Sequence, residues 1–137
     1  MPALLKKEDY YTFVKYIIKS RNVKIIIIGG STYAYQITKK IKRDFPQIKI
    51  IDLLFNTEGH FESNLKFAEY IDTTIAENKT ISKAYKKKNL SDYKKIKVIP
   101  NGVDISQYHM LKKSYKKKKI VISYIGRISS EKGPDIF

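Results

Sequence analysis

Apolar positions along the chain switch between a helical period and short unbroken runs. Tyr10, Phe13, Val14, Ile17 and Ile18 recur at helical spacing with lysines between them, which predicts an amphipathic helix ending near Ser20. Val23 to Ile28 follows as a continuous β-branched run, stopped by Gly29-Gly30-Ser31. A run apolar at every position suits a central parallel strand buried on both faces. Ala34, Ile37, Ile41 and Phe45 predict a second helix ended by Pro46, and Ile48 to Leu54 the next strand. Leu65, Ala68 and Glu69 belong to a short helix, Ile71 to Ala76 to a strand, and Asn78 caps a helix running to Lys88. Lys97 to Ile99 reads as a short strand closed by Pro100-Asn101-Gly102. Helix and strand in alternation give an α/β fold: a parallel, Rossmann-like sheet flanked by helices.

Composition refines this picture without changing it. The 137 residues are 42% hydrophobic and 30% charged, enough apolar material for a core. Cysteine is absent, which excludes disulfides and thiolate chemistry. The formal net charge of +15 is carried by lysine, the arginines being Arg21, Arg43 and Arg127. Sites that read phosphate geometry favour arginine forks, so a lysine surface points first to genome composition, then to an anionic membrane surface, and last to nucleic acid. No apolar run is long enough to span a bilayer, and Met1 to Lys7 lacks the pattern of a secretory signal. A cytoplasmic setting is expected, with peripheral contact at the inner face of the membrane.

Two stretches carry candidate chemistry. From Ile120 the chain reads as a buried strand ending at Gly126, then Arg127, a polar loop containing Lys132, and Gly133-Pro134 opening a helix. Two cations and a helix N-terminus at a strand end suit phosphate oxygens. The same stretch reads equally as a strand–loop–helix junction with solvated cations. The polar segment Phe55-Asn56-Thr57-Glu58-Gly59-His60 lies just past a strand, where open α/β sheets bind ligands. His60 is a candidate for hydrogen bonding or proton transfer, against a loop histidine that only packs or caps. The tyrosines Tyr10, Tyr11, Tyr16, Tyr33 and Tyr35 read as core or boundary residues rather than base-stacking platforms. The carboxylates are scattered, with no metal-site spacing, so no metal and no cofactor is expected.

The segment Val98-Ile99-Pro100-Asn101-Gly102-Val103-Asp104, followed downstream by a strand and Gly126-Arg127-Ile128-Ser129-Ser130-Glu131-Lys132-Gly133-Pro134-Asp135, resembles family 4 glycosyltransferases of the GT-B fold. The stretch from Ile51 to His60 resembles the strand and active-site loop of that family's N-terminal domain, and Glu69 to Tyr85 its next strand and helix. The resemblance implies a retaining transferase that moves a sugar from a nucleotide-diphosphate donor to a saccharide or lipid-linked acceptor. It implies that Arg127, Lys132 and Gly126 contact the donor diphosphate and that Asn101 and Gly102 mark the domain junction. It places Asn56 and His60 at the catalytic loop, Asn56 standing where family members often carry histidine.

The resemblance also divides the chain. Residues 1–103 correspond to the later part of the acceptor-side domain, 104–119 to a basic linker, and 120–137 to the first strand and loop of the donor-binding domain. The family's opening strand with its glycine-rich loop, and its donor-gripping pair of glutamates, have no counterpart here, so the chain is expected to be a fragment inactive alone. Two rivals stand beside this reading: a basic nucleic-acid-binding module, and a non-catalytic interaction module that needs a partner to complete its sheet.

Overall fold

The computed structural model describes residues 9–88, 93–108, 122–129 and 133–136. The chain divides into two units, Met1–Gly102 and Val103–Phe137. In the first, helix α1 (Asp9–Ser20) leads into strand β1 (Ile25–Ile28), α2 (Thr32–Asp44), β2 (Lys49–Leu54), α3 (His60–Lys66), β3 (Thr73–Ala76), α4 (Lys79–Lys88) and β4 (Ile96–Val98). The four strands form one sheet in the order β1-β2-β3-β4, and every neighbouring pair is parallel. The fold is the α/β, Rossmann-like arrangement that the hydrophobic pattern predicts.

Local chemistry sets the boundaries. Ser31 caps α2, its hydroxyl accepting from the Ala34 N–H at 3.4 Å. Asn78 caps α4 as expected, accepting from the Ile81 N–H at 2.9 Å. Asn22, at φ 50, turns the chain between α1 and β1, a conformation asparagine tolerates better than most residues. Asp44 ties α1 to α2 by accepting from Tyr11 Oη at 2.6 Å and Lys15 Nζ at 2.9 Å. Asp72 accepts from the Ile50 N–H at 2.7 Å and from Lys42 Nζ, fixing the start of β2 against the end of α2.

Strands laid down in consecutive order and joined by right-handed crossovers put every connecting helix on the same face. The burial follows that rule. Ile28, Ile50, Asp52, Leu54, Thr74, Ala76 and Ile96 face the helices and are buried. Two clusters fill this layer. Ile18, Tyr35, Ile41 and Ile48 pack on the β1–β2 side, and Phe61, Ile81 and Tyr85 on the β3–β4 side. The opposite face carries no helix among the described residues.

That arrangement corrects the expectation for the isoleucine run. β1 is an edge strand, not a central one: Ile25 is 54% and Ile27 63% exposed. An unbroken apolar run is needed only when both faces are covered, and among the described residues one face of it is bare. The strand expected at Ile120 to Ile125 is also not formed in its described part, residues 122–125. A strand needs a neighbour for its backbone hydrogen bonds, and the described residues of the second unit hold only the 3₁₀ turns Ile105–Gln107 and Pro134–Ile136. No helix among the described residues is long and apolar enough to cross a membrane.

Candidate functional site

The carboxyl ends of the strands carry the loops 29–31, 55–59, 77–78 and 99–102, the edge where open parallel sheets hold ligands. His60 was expected in the polar loop after β2. It is instead the first residue of α3, because Gly59, at φ 57, turns the chain into the helix. Asn56 is occupied locally: its Oδ1 accepts the Glu58 N–H at 3.2 Å, closing an Asx turn that shapes the loop.

The exposed imidazole of His60 lies over a buried polar chain. Its ring stacks on Tyr35, with centroids 6.2 Å apart and planes 27° from parallel. Tyr35 Oη donates to Asp52 Oδ2 at 2.8 Å. Asn64 Nδ2 donates to the same carboxylate oxygen and to Thr74 Oγ1 at 3.1 Å. Tyr35, Asp52, Asn64 and Thr74 are all fully buried. Burial raises the Asp52 carboxyl above its ordinary range, against the hydrogen bonds from Asn64 and Tyr35 and the nearby His60. Burial, with the Asp52 charge second, likewise raises the Tyr35 phenol. Asp52 Oδ1 and Asn64 Oδ1 have no hydrogen-bond partner. The result is a histidine at the solvent edge, backed by a phenol and a carboxyl group that both favour the neutral form.

Gly30 leaves room for this histidine. It sits at φ +70, and a Cβ there would lie 2.8 Å from His60 Cδ2. Gly30→Ala is expected to cost about 1 kcal/mol or more through the left-handed backbone and to push the imidazole aside. The His60 ring-proton shifts in an NMR spectrum report the displacement, and unchanged shifts would remove Gly30 from this role.

Asn101 and Gly102 line a separate cleft of about 250 Å³ with Leu53, Phe55, Ile75 and Ile99. Asn101 Nδ2 donates to Glu77 Oε1 at 2.9 Å across its mouth. Among the residues of α2, Lys39, Lys40, Lys42 and Arg43 border a second, basic concavity with Tyr70. The expected donor-binding residues lie in the second unit. There Tyr124 Oη donates to the Arg127 carbonyl at 2.8 Å, and a Cβ at Gly126 would meet that hydroxyl at 2.9 Å. Arg127 is exposed, and Lys132 lies outside the described residues.

The candidate residues thus fall into three places: His60 over Tyr35, Asn101 and Gly102 at the cleft, and Gly126 with Arg127 in the second unit. Sequence reasoning missed Tyr35, Asp52 and Asn64. The one signal for them was an acidic residue inside the apolar run Ile50 to Leu54 of β2. No family model matches the chain, and no curated protein or solved structure matches it. The functional reading therefore rests on these residues.

Proposed function

We propose that the chain is the acceptor-side part of a glycosyltransferase that moves a sugar from a nucleotide-diphosphate donor to a saccharide or lipid-linked acceptor. The observation that carries this reading is the exposed His60 imidazole seated on the buried, hydrogen-bonded Tyr35–Asp52 pair at the carboxyl edge of a parallel sheet. A histidine there is placed to hydrogen-bond a sugar hydroxyl and to move its proton. The motifs around Asn101 and Arg127 add the second half of the argument. Transfer from such a donor develops negative charge on the departing diphosphate, and fixed cations at that position lower the barrier. Arg127 offers paired hydrogen bonds to phosphate and Lys132 a point charge. The proposal needs no covalent nucleophile, in keeping with the retaining chemistry that the resemblance implies.

Nucleoside diphosphate binding by the whole chain tests this assignment. Uridine and guanosine diphosphates are expected to bind weakly, with Kd on the order of 1 mM. Arg127→Ala should weaken that binding about tenfold, the loss of one charge-assisted phosphate contact. Equal binding by both proteins, or none to either, would remove the diphosphate assignment.

A further inference from the structure

Among the described residues the sheet has one face covered by helices and one bare face, and the bare face is apolar. Ile25, Ile27, Ile51, Leu53 and Ile75 share it by strand alternation and register. Two residues beyond Leu53 and two beyond Lys97, Phe55 and Ile99 continue it into the 250 Å³ cleft. The exposures are 54% at Ile25, 63% at Ile27, 52% at Phe55 and 55% at Ile99. Scattered exposed apolar residues need no explanation, but a contiguous set on one sheet face does. Parallel sheets are otherwise found with both faces covered.

Charge and shape narrow what covers it. Lys49 and Lys97 stand among these isoleucines on the same face, aligned with Ile25 and Ile75. A second copy of the chain would set lysine against lysine and bring together two molecules of net charge +15. Residues 112–119 suit the face no better, since they hold Lys112, Lys113 and Lys116 to Lys119. Glu77 lies at the carboxyl end of the face and Lys49 at the start of β2. That polarity favours a helix running antiparallel to the strands, its positive end by Glu77 and its negative end by Lys49. The cleft between Phe55 and Ile99 supplies a socket for one bulky side chain.

We propose that this bare face is a docking surface for an amphipathic α-helix of a partner polypeptide, apolar along one stripe and acidic beside it. Such a helix buries the exposed isoleucines and pairs its carboxylates with Lys49 and Lys97. The proposal is independent of the glycosyltransferase reading.

The test uses the full chain and a fluorescein-labelled helical peptide of about 14 residues, four turns, with leucines at i, i+3, i+4 and i+7 and glutamates beside them. A second peptide replaces the glutamates with lysines. Fluorescence anisotropy is expected to show binding of the acidic peptide, weakened by salt, and binding at least about tenfold weaker for the lysine peptide. Ile27→Asp should weaken the acidic peptide about tenfold or more, because it sets a carboxylate in the apolar contact. Tyr16→Ser, at an exposed position on α1, should leave it unchanged. Circular dichroism of each variant separates a lost surface from a lost fold, and Ile25→Asp repeats the test at a second position. No binding of the acidic peptide, or equal binding of both peptides, overturns the proposal. So does a dimer in light scattering that Ile27→Asp dissolves, which would assign the face to a second copy. Binding to phosphatidylglycerol vesicles lost in Ile27→Asp, while peptide binding persists, would assign it to a lipid surface.

Discussion

Replacing Tyr35 with alanine is expected to destabilise the sheet-and-helix unit by about 3–5 kcal/mol, the range found when buried aromatic rings are truncated. The ring is fully buried, packs in the β1–β2 cluster, and stacks with both Phe67 and His60. Domains of this size are stable by only about 5–15 kcal/mol, and a sheet with one bare face buries less apolar surface than one covered twice. Tyr35→Ala should therefore bring the unit close to unfolding at ordinary temperature. Chemical denaturation followed by circular dichroism measures the loss. The control is Tyr16→Ala, at a residue 65% exposed, which should change stability by less than about 0.5 kcal/mol. If the two substitutions cost the same, Tyr35 is not a core residue.

Tyr35→Phe divides this loss into packing and polarity. It keeps the ring and removes one of the donors to Asp52 Oδ2, whose other carboxylate oxygen already has no partner. The expected cost is about 1–3 kcal/mol, the desolvation penalty of a buried acceptor left short. The fold and the candidate site thus share a residue: the ring that fills the core is also the platform on which His60 rests.

The alternation of elements was legible because each periodic stretch obeys a rule read from neighbours in sequence. Ile37 and Ile41 mark the buried side of α2, and Asn78 caps α4 with the side chain its type predicts. The position of β1 was not legible. Four isoleucines in a row look the same whether a strand is central or at an edge, and only the strand order separates the two. The start of α3 was misplaced for a related reason. Gly59 reads as a loop glycine, whereas its positive φ serves to turn the chain into the helix that His60 opens. The expected strand at Ile120 had the right residues, but its described part lacks a partner strand. In the site, the residue types of His60 and Asn101 drew notice at once. Asp52 did not, because one acid in Ile50-Ile51-Asp52-Leu53-Leu54 passes for the polar half of an alternating strand. Its partners, Tyr35 and Asn64, come from α2 and α3, and Thr74, which accepts from Asn64, from β3; only folding brings them together.

Asp52→Asn is expected to leave the protein at least as stable as the parent at neutral pH, an unusual result for a change at a fully buried position. Burial raises the Asp52 carboxyl in the folded chain, so the folded state holds its proton at pH values where the unfolded chain has released it. Folding then takes up a proton. The contribution of this group is fully present below the unfolded pKa and is lost as pH rises through the folded one. Asparagine removes the ionisation, and with it this descending slope, while its side-chain oxygen still accepts from Tyr35 and Asn64. Asp44 and Asp72 act in the opposite sense. Hydrogen bonds from Arg43, Tyr11 and Lys15 hold the Asp44 carboxyl well below its ordinary range. Burial opposes ionisation of Asp72, but Lys42 and the Ile50 N–H outweigh it and lower that group as well. Their contributions are present above the unfolded carboxylate pKa and fade at more acid pH, equally in both proteins. The difference between parent and Asp52→Asn in urea midpoint, measured across pH, therefore isolates Asp52. The variant's advantage should be greatest near neutrality and shrink or reverse on acidification. Asp52→Ala provides the contrast, because at every pH it removes the acceptor of the Tyr35 hydroxyl and of one Asn64 amide N–H, at about 1–3 kcal/mol for each. A loss of stability in Asp52→Asn that is largest at neutral pH would mean the folded chain needs the charged carboxylate. The support beneath His60 would then be an anion rather than a neutral acid.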